Sequence, residues 1–135
     1  LTGIDPVKTL TQKRIANWGL RPGLPIGVKI TLRGKEAEEL AARLLQAKES
    51  RLKPKNIDEN GNISFGVLEY VDVPKVNYNP DIGMMGFQAS ITLTRPGYRI
   101  KSRKLRKSRI PRNHRVSRED TVRFLEAKYN KQVEA

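Results

Sequence analysis

Between positions 95 and 118 the chain places 11 basic residues and no acidic one. Such a segment repels itself and is too charged to hold a core, so the fold must be built from the residues around it. Those surroundings are close to neutral: of 27 Lys and Arg, 11 lie in this run, while all 14 Asp and Glu lie outside it. A second stretch, 7–35, holds seven basic residues and no acid, whereas 36–94 holds nine acids against six bases. A nearly neutral body with two cationic surfaces calls for a polyanionic partner: RNA, DNA or an anionic membrane. The long basic run should order when it meets polyphosphate. Its apolar residues Ile100, Leu105 and Ile110 are too sparse for membrane insertion, so nucleic acid is favoured and no membrane partner is expected.

Composition narrows the chemistry. With 135 residues and 37% hydrophobic content the chain suits one domain with a modest core. No apolar run approaches the ~20 residues a transmembrane helix needs. Zero Cys removes disulfides, thiol catalysis and Cys–zinc or iron–sulfur sites, and a single His removes two-His metal sites. No catalytic residue, metal site or cofactor is expected. His114, between Arg112 and Arg115, reads as a phosphate or ribose contact or as a solvated side chain. Asp58/Glu59 and Glu119/Asp120 read as turn and helix-cap residues. The opening Leu1-Thr2-Gly3 has no initiator Met and is read as the start of a fragment.

Periodicity gives the elements. A short strand is expected over 7–12, then a Gly/Pro-rich loop over 13–25. Alternation over 26–33 predicts a strand with Ile26, Val28, Ile30 and Leu32 packed inward and Lys29, Thr31 and Arg33 outward. Ala37, Leu40, Ala41, Leu44 and Leu45 predict a helix from 35 to about 52. Asn60-Gly61 marks a hairpin turn. Strands are expected over 63–70, with Ile63, Phe65 and Val67 inward, and over 87–94, with Phe87, Ala89, Ile91 and Leu93 inward. An irregular segment, 74–86, separates them. Ser117 to Asp120 resembles a capping box before a last helix from 118 to about 130, with Val122, Leu125 and Tyr129 on its stripe. The fold class is α+β: a mainly antiparallel sheet with helices packed on one face, plus a basic extended arm. Residues 1–94 are taken as the body, 95–118 as the arm, and 119–135 as a C-terminal helix of the same single domain.

The outward positions Lys29, Thr31, Arg33, Gln88, Ser90, Thr92 and Thr94 suit contact with phosphates and ribose hydroxyls. The same pattern fits an ordinary solvated sheet face. In the loop, Lys13, Arg14 and Arg21 flank Trp18, which fits either nucleotide stacking or core packing. The arm offers Arg99, Lys101, Arg103, Lys104, Arg106, Lys107, Arg109, Arg112, His114 and Arg115 to RNA. A different class of function, an RNA-processing enzyme or a generic RNA chaperone with a basic arm, stands beside the structural one.

Four segments carry a resemblance: Pro25-Ile-Gly-Val-Lys-Ile-Thr-Leu-Arg-Gly34, Gly61-Asn-Ile-Ser-Phe-Gly-Val-Leu-Glu69, Tyr78-Asn-Pro-Asp-Ile-Gly-Met-Met-Gly86 and Thr94-Arg-Pro-Gly-Tyr-Arg99. In this order they resemble ribosomal large-subunit protein five in its archaeal form, similar also to the eukaryotic counterpart, over essentially the whole chain. The resemblance implies a structural, cytoplasmic ribosomal protein of the central protuberance, bound to 5S rRNA and large-subunit rRNA. It implies 5S rRNA contacts at Lys29, Thr31 and Arg33, to which the outward Gln88, Ser90 and Thr92 are added. It implies a P-site tRNA contact through the loop matching 13–23, carried by Lys13, Arg14, Asn17, Trp18 and Arg21, and a bridge to small-subunit ribosomal protein thirteen. Members of that family begin with a further strand and helix. Their opening motif reads Gly-Gln, then Lys or Thr, then Pro. Here it reads Gly3-Ile4-Asp5-Pro6, replacing an amide that bonds RNA in relatives.

Overall fold

The computed structural model describes residues 2–48 and 52–129. It divides into two compact units, Leu1–Leu40 and Ala41–Ala135. In the first, β1 (Val7–Leu10) pairs antiparallel with β2 (Pro25–Lys29), Val7 opposite Lys29 and Thr9 opposite Gly27, with a register shift between Thr9 and Leu10. The strand expected over 26–33 is therefore shorter. Its partner ends at Val7, so residues 30–33 have no ladder to join. The inward packing expected of Ile26, Val28 and Ile30 is also overturned, since all three are exposed and Val28 is 67% so. A two-stranded ribbon has no layer of its own to cover either face.

Helix α1 (Lys35–Ala47) starts after Gly34 with Glu36 and Glu38 in its first turn, where the helix dipole favours anions. It buries Ala41, Leu44 and Leu45, as the spacing predicts, but ends before position 52. Leu52 is buried without being helical, and 49–51 lie outside the described residues.

The second unit holds the core. β3 (Ile63–Val67) and β4 (Phe87–Ile91) form a two-stranded antiparallel sheet with Phe65 opposite Ala89 and Ser64 opposite Ser90. Alternation works here as read: Ile63, Phe65, Val67 and Ala89 are buried, while Ser64, Gly66, Gln88 and Ser90 are exposed. Both strands stop early. β3 gives way to a 3-10 turn at Tyr70–Asp72 that buries Tyr70, and Leu68 is exposed. α2 (Arg118–Tyr129) buries Leu125 and, unexpectedly, Thr121. Position 130 lies outside the described residues. The α+β class is thus realised as two small antiparallel sheets with helices.

The turn before β3 locks onto α2. Asp58 Oδ1 accepts the Asn60 and Asn62 N–H groups at 2.9 and 2.7 Å, and Asp58 Oδ2 accepts the Asn62 amide at 2.7 Å. Hydrogen bonding from Asn62, side chain first and backbone next, holds the Asp58 carboxyl below its ordinary range. Gly61 then carries φ +72°, a conformation L side chains rarely adopt. Its carbonyl accepts the Thr121 hydroxyl at 3.0 Å. A methyl group on Gly61 would stand 2.5 Å from Thr121 Oγ1 and 2.7 Å from Val116 Cγ1. Gly61→Ala should therefore destabilise the chain by about 2–4 kcal/mol, combining overpacking with positive-φ strain. Urea unfolding measures this, and a loss under about 0.5 kcal/mol would show that the turn relaxes freely.

Candidate nucleic-acid interface

The loop over 13–25 is an ordered finger. Its base is closed by Thr11, whose N–H donates to the Leu24 carbonyl at 2.9 Å and whose carbonyl accepts the Gly23 N–H at 3.0 Å. The Thr11 hydroxyl donates to the Arg21 carbonyl at 2.6 Å, with the Leu24 carbonyl 3.1 Å away, which explains why a threonine is buried there. Ile15 and Leu20 exchange both backbone bonds at 3.0 Å, and a 3-10 turn, Ala16–Trp18, with left-handed Gly19 caps the tip. Trp18 stands at that tip, 75% exposed, which removes its core-packing reading. Lys13, Arg14, Asn17 and Arg21 are exposed around it.

Of the residues read onto one sheet face, Lys29, Thr31 and Arg33 belong to the first unit and Gln88, Ser90 and Thr92 to the second. Lys29 shares its face of the β1–β2 ribbon with Val7 and Thr9. Thr31 and Arg33 lie past the end of β2, so strand alternation does not fix their direction, but both are exposed. Gln88 and Ser90 stand on the exposed face of β3–β4, and Thr92 follows the strand end. Sequence reasoning passed over the partners of that face. Ser64 Oγ lies 3.2 Å from Ser90 Oγ, Gly66 opposes Gln88, and the Asn56 amide donates to the Ser64 carbonyl at 2.8 Å. The signal was available: inward Ile63, Phe65 and Val67 oblige Ser64 and Gly66 to face out. Except for Gln88 these side chains are short, so a ribose–phosphate backbone can approach the sheet closely.

The basic segment is a loop held at both ends rather than an extended arm. Two 3-10 turns, Tyr98–Lys101 and Arg112–His114, begin and end its charged stretch. The Tyr98 hydroxyl donates to the His114 carbonyl at 3.1 Å and accepts the Val116 N–H at 2.8 Å. His114 Nε2 lies 2.8 Å from the Pro96 carbonyl and must donate to it, since a carbonyl oxygen only accepts. The His114 ring also meets Tyr98 edge-on at 5.7 Å between centroids. Its first role is therefore to brace the loop. The segment does contribute to a core, against expectation. Ile110 and Val116 are buried because they lie beside these braces, beyond the densest run of charge. From 99 to 109 every residue except Ile100 is exposed. No cation between Arg99 and Arg115 pairs with a carboxylate among the described residues.

Asp120 anchors the C-terminal end. Its Oδ2 accepts the Ser117 N–H at 3.0 Å, the Ser117 hydroxyl at 2.9 Å and the Arg95 guanidinium at 2.6 Å. Ser117 Oγ in return accepts the Asp120 N–H at 3.2 Å, completing the capping box with Asp in the place of Glu. The Ser117 N–H first, then its hydroxyl, and then the positive charge of Arg95 lower the Asp120 pKa from its ordinary 3.8. A depressed carboxylate stabilises the fold above its unfolded-state pKa and loses that contribution as pH falls through its folded value. Thermal unfolding between pH 7 and pH 2 should show a shallower acid loss for Asp120→Asn than for the parent chain. The two should converge at the acid end, and parallel curves would remove Asp120 from the account. Tyr98→Phe leaves the Val116 N–H and the His114 carbonyl without a partner, a loss of about 1–3 kcal/mol. Val116 amide exchange should accelerate in that variant; unchanged protection would mean that another group holds the loop.

Known proteins share this chain's sequence over nearly its whole length. A family model for the C-terminus of the ribosomal uL5 family matches residues 25–131. The chain is 47% identical over 131 residues to the large ribosomal subunit protein uL5 of Sulfurisphaera tokodaii, covering 96% of this chain and 74% of that protein. It is 46% identical to that of Sulfolobus acidocaldarius over 130 residues, covering 96% and 73%. With that of Methanobrevibacter smithii it shares 39% identity over 125 residues, covering 93% and 74%.

Proposed function

Since the chain belongs to the ribosomal uL5 family, and is a structural protein of the large subunit of the cytoplasmic ribosome rather than an enzyme, we propose that it binds 5S rRNA and large-subunit rRNA in the central protuberance. The observation that carries the RNA reading is the exposed cationic loop over 99–109, with no carboxylate paired to its cations among the described residues. Lys101, Arg103, Lys104, Arg106, Lys107 and Arg109 meet phosphates there, a sequence-independent contribution to affinity. Selectivity for 5S rRNA rests with Lys29, Thr31 and Arg33, and with Gln88, Ser90 and Thr92, whose hydroxyls, amide and cations suit ribose and phosphate.

The finger over 13–23, with Trp18 at its exposed tip and Lys13, Arg14, Asn17 and Arg21 around it, contacts P-site tRNA. The bridge to small-subunit ribosomal protein thirteen has support of another kind. Tyr78, Ile82, Met84 and Met85 are all more than half exposed in one segment, an apolar surface suited to a protein partner.

The test is a pair of titrations across salt concentrations, with 5S rRNA and with an unrelated RNA of equal length. Replacing Lys101, Lys104, Arg106 and Lys107 by Gln should weaken both RNAs and reduce the slope of log K against log salt by about 3–4. Thr31→Val should lower affinity for 5S rRNA alone, by about 1 kcal/mol. Equal losses on both RNAs for Thr31→Val would end its role in selectivity, and an unchanged slope would end the phosphate reading of the loop.

A further inference from the structure

Within the cationic loop the backbone folds back on itself. The Arg103 N–H donates to the Arg99 carbonyl at 2.9 Å, and the Ser108 N–H donates to the Ile100 carbonyl at 3.1 Å. The Arg103 side chain is used in the same closure, its Nε–H donating to the Arg106 carbonyl at 2.8 Å, with Arg106 at φ +49°. That bond restrains the plane of the Arg103 guanidinium. Its terminal amino groups bond no other described residue.

This closure leaves a shallow, open depression of about 480 Å³, bounded by Gly97, Arg99, Ile100, Arg103, Lys104 and Leu105. That volume falls in the ~300–1,000 Å³ range of small-ligand pockets and has room for a nucleobase. Its surface is chiefly aliphatic, from Ile100 and Leu105, although cations dominate the surrounding chain. Leu105 is 77% exposed at the centre of that charge. Phosphate binding alone makes no use of an apolar surface there. A nucleobase does: it offers a flat apolar face attached to a phosphate, and single-stranded or bulged RNA presents such bases unstacked. Guanidinium planes are established stacking surfaces for them.

We propose that this depression receives a single unpaired base extruded from an RNA helix. Ile100 and Leu105 lie beneath the base, the Arg103 guanidinium stacks on it, and Arg99 and Lys104 hold the adjoining phosphates. The proposal rests on the RNA-binding reading above and adds the structural class of RNA that this loop selects.

The full chain is titrated at fixed salt with a short RNA hairpin carrying one bulged adenosine. The same hairpin without the bulge, and the same bulge with its base removed, are the comparisons. The bulged hairpin should bind about tenfold more tightly than either, within what stacking of one base supplies. Leu105→Ser should bring its affinity down to that of the paired hairpin. Arg103→Lys, which keeps the charge and removes the plane, should lose most of the preference. Equal binding of the bulged and base-less hairpins would overturn the proposal, because the loop would then read a bent backbone. So would a preference retained in both variants. Failure to bind any hairpin would overturn the RNA reading itself, and the base site with it.

Discussion

A run of cations without internal counter-charge can be held only from its ends. Here one phenol and one carboxylate do the holding. Tyr98 spans from one end of the loop to the other through His114 and Val116, and Asp120 joins Arg95, at its start, to the cap of α2, at its finish. Everything between is free to present charge outward. α2 in turn is fixed by Thr121 on Gly61, so the turn before β3, the last helix and the loop form one chain of dependence. Each link is a hydrogen bond between partly or fully buried groups, where a missing partner costs more than a made bond gains.

The first unit works on another basis. Its ribbon exposes Val7, Ile26 and Val28 alongside Lys8 and Lys29, so its organisation owes little to a buried core. Order comes from the β1–β2 ladder and from the closure at Thr11. A surface of mixed aliphatic and cationic side chains is suited to RNA, where phosphates meet the charges and sugar edges meet the methyls.

How far the fold could be read from sequence depended on whether a pattern had a layer to bury it. The alternation of Ile63, Phe65 and Val67 gave the correct inward face, because helices and the neighbouring strand complete a core in that unit. The cleaner alternation of Ile26, Val28 and Ile30 led to the wrong one, because period two reports a pleat and not what covers it. The Ser117–Asp120 cap was legible, being local in the chain. Thr121 and Tyr98 were not, because their bonds reach 60 and 16–18 residues away and neither residue type signals burial. Of the candidate interface, the charges and Trp18 at the tip were visible. The bracing of His114, the short side chains opposite β4 and the depression beside Leu105 required coordinates.

The finger's closure at Thr11 has an entropic consequence. A loop of Gly, Pro and cations that ordered only on contact would surrender backbone freedom at that moment, and its affinity would fall accordingly. Here the Thr11 hydroxyl, the Ile15–Leu20 pair and left-handed Gly19 fix the tip while the chain folds. Trp18 is itself a rigid side chain with few torsions to lose. Contact at the tip is thus preorganised: the area that Trp18 covers on a partner counts almost undiminished toward binding. A short and reversible touch can then be selective without being tight.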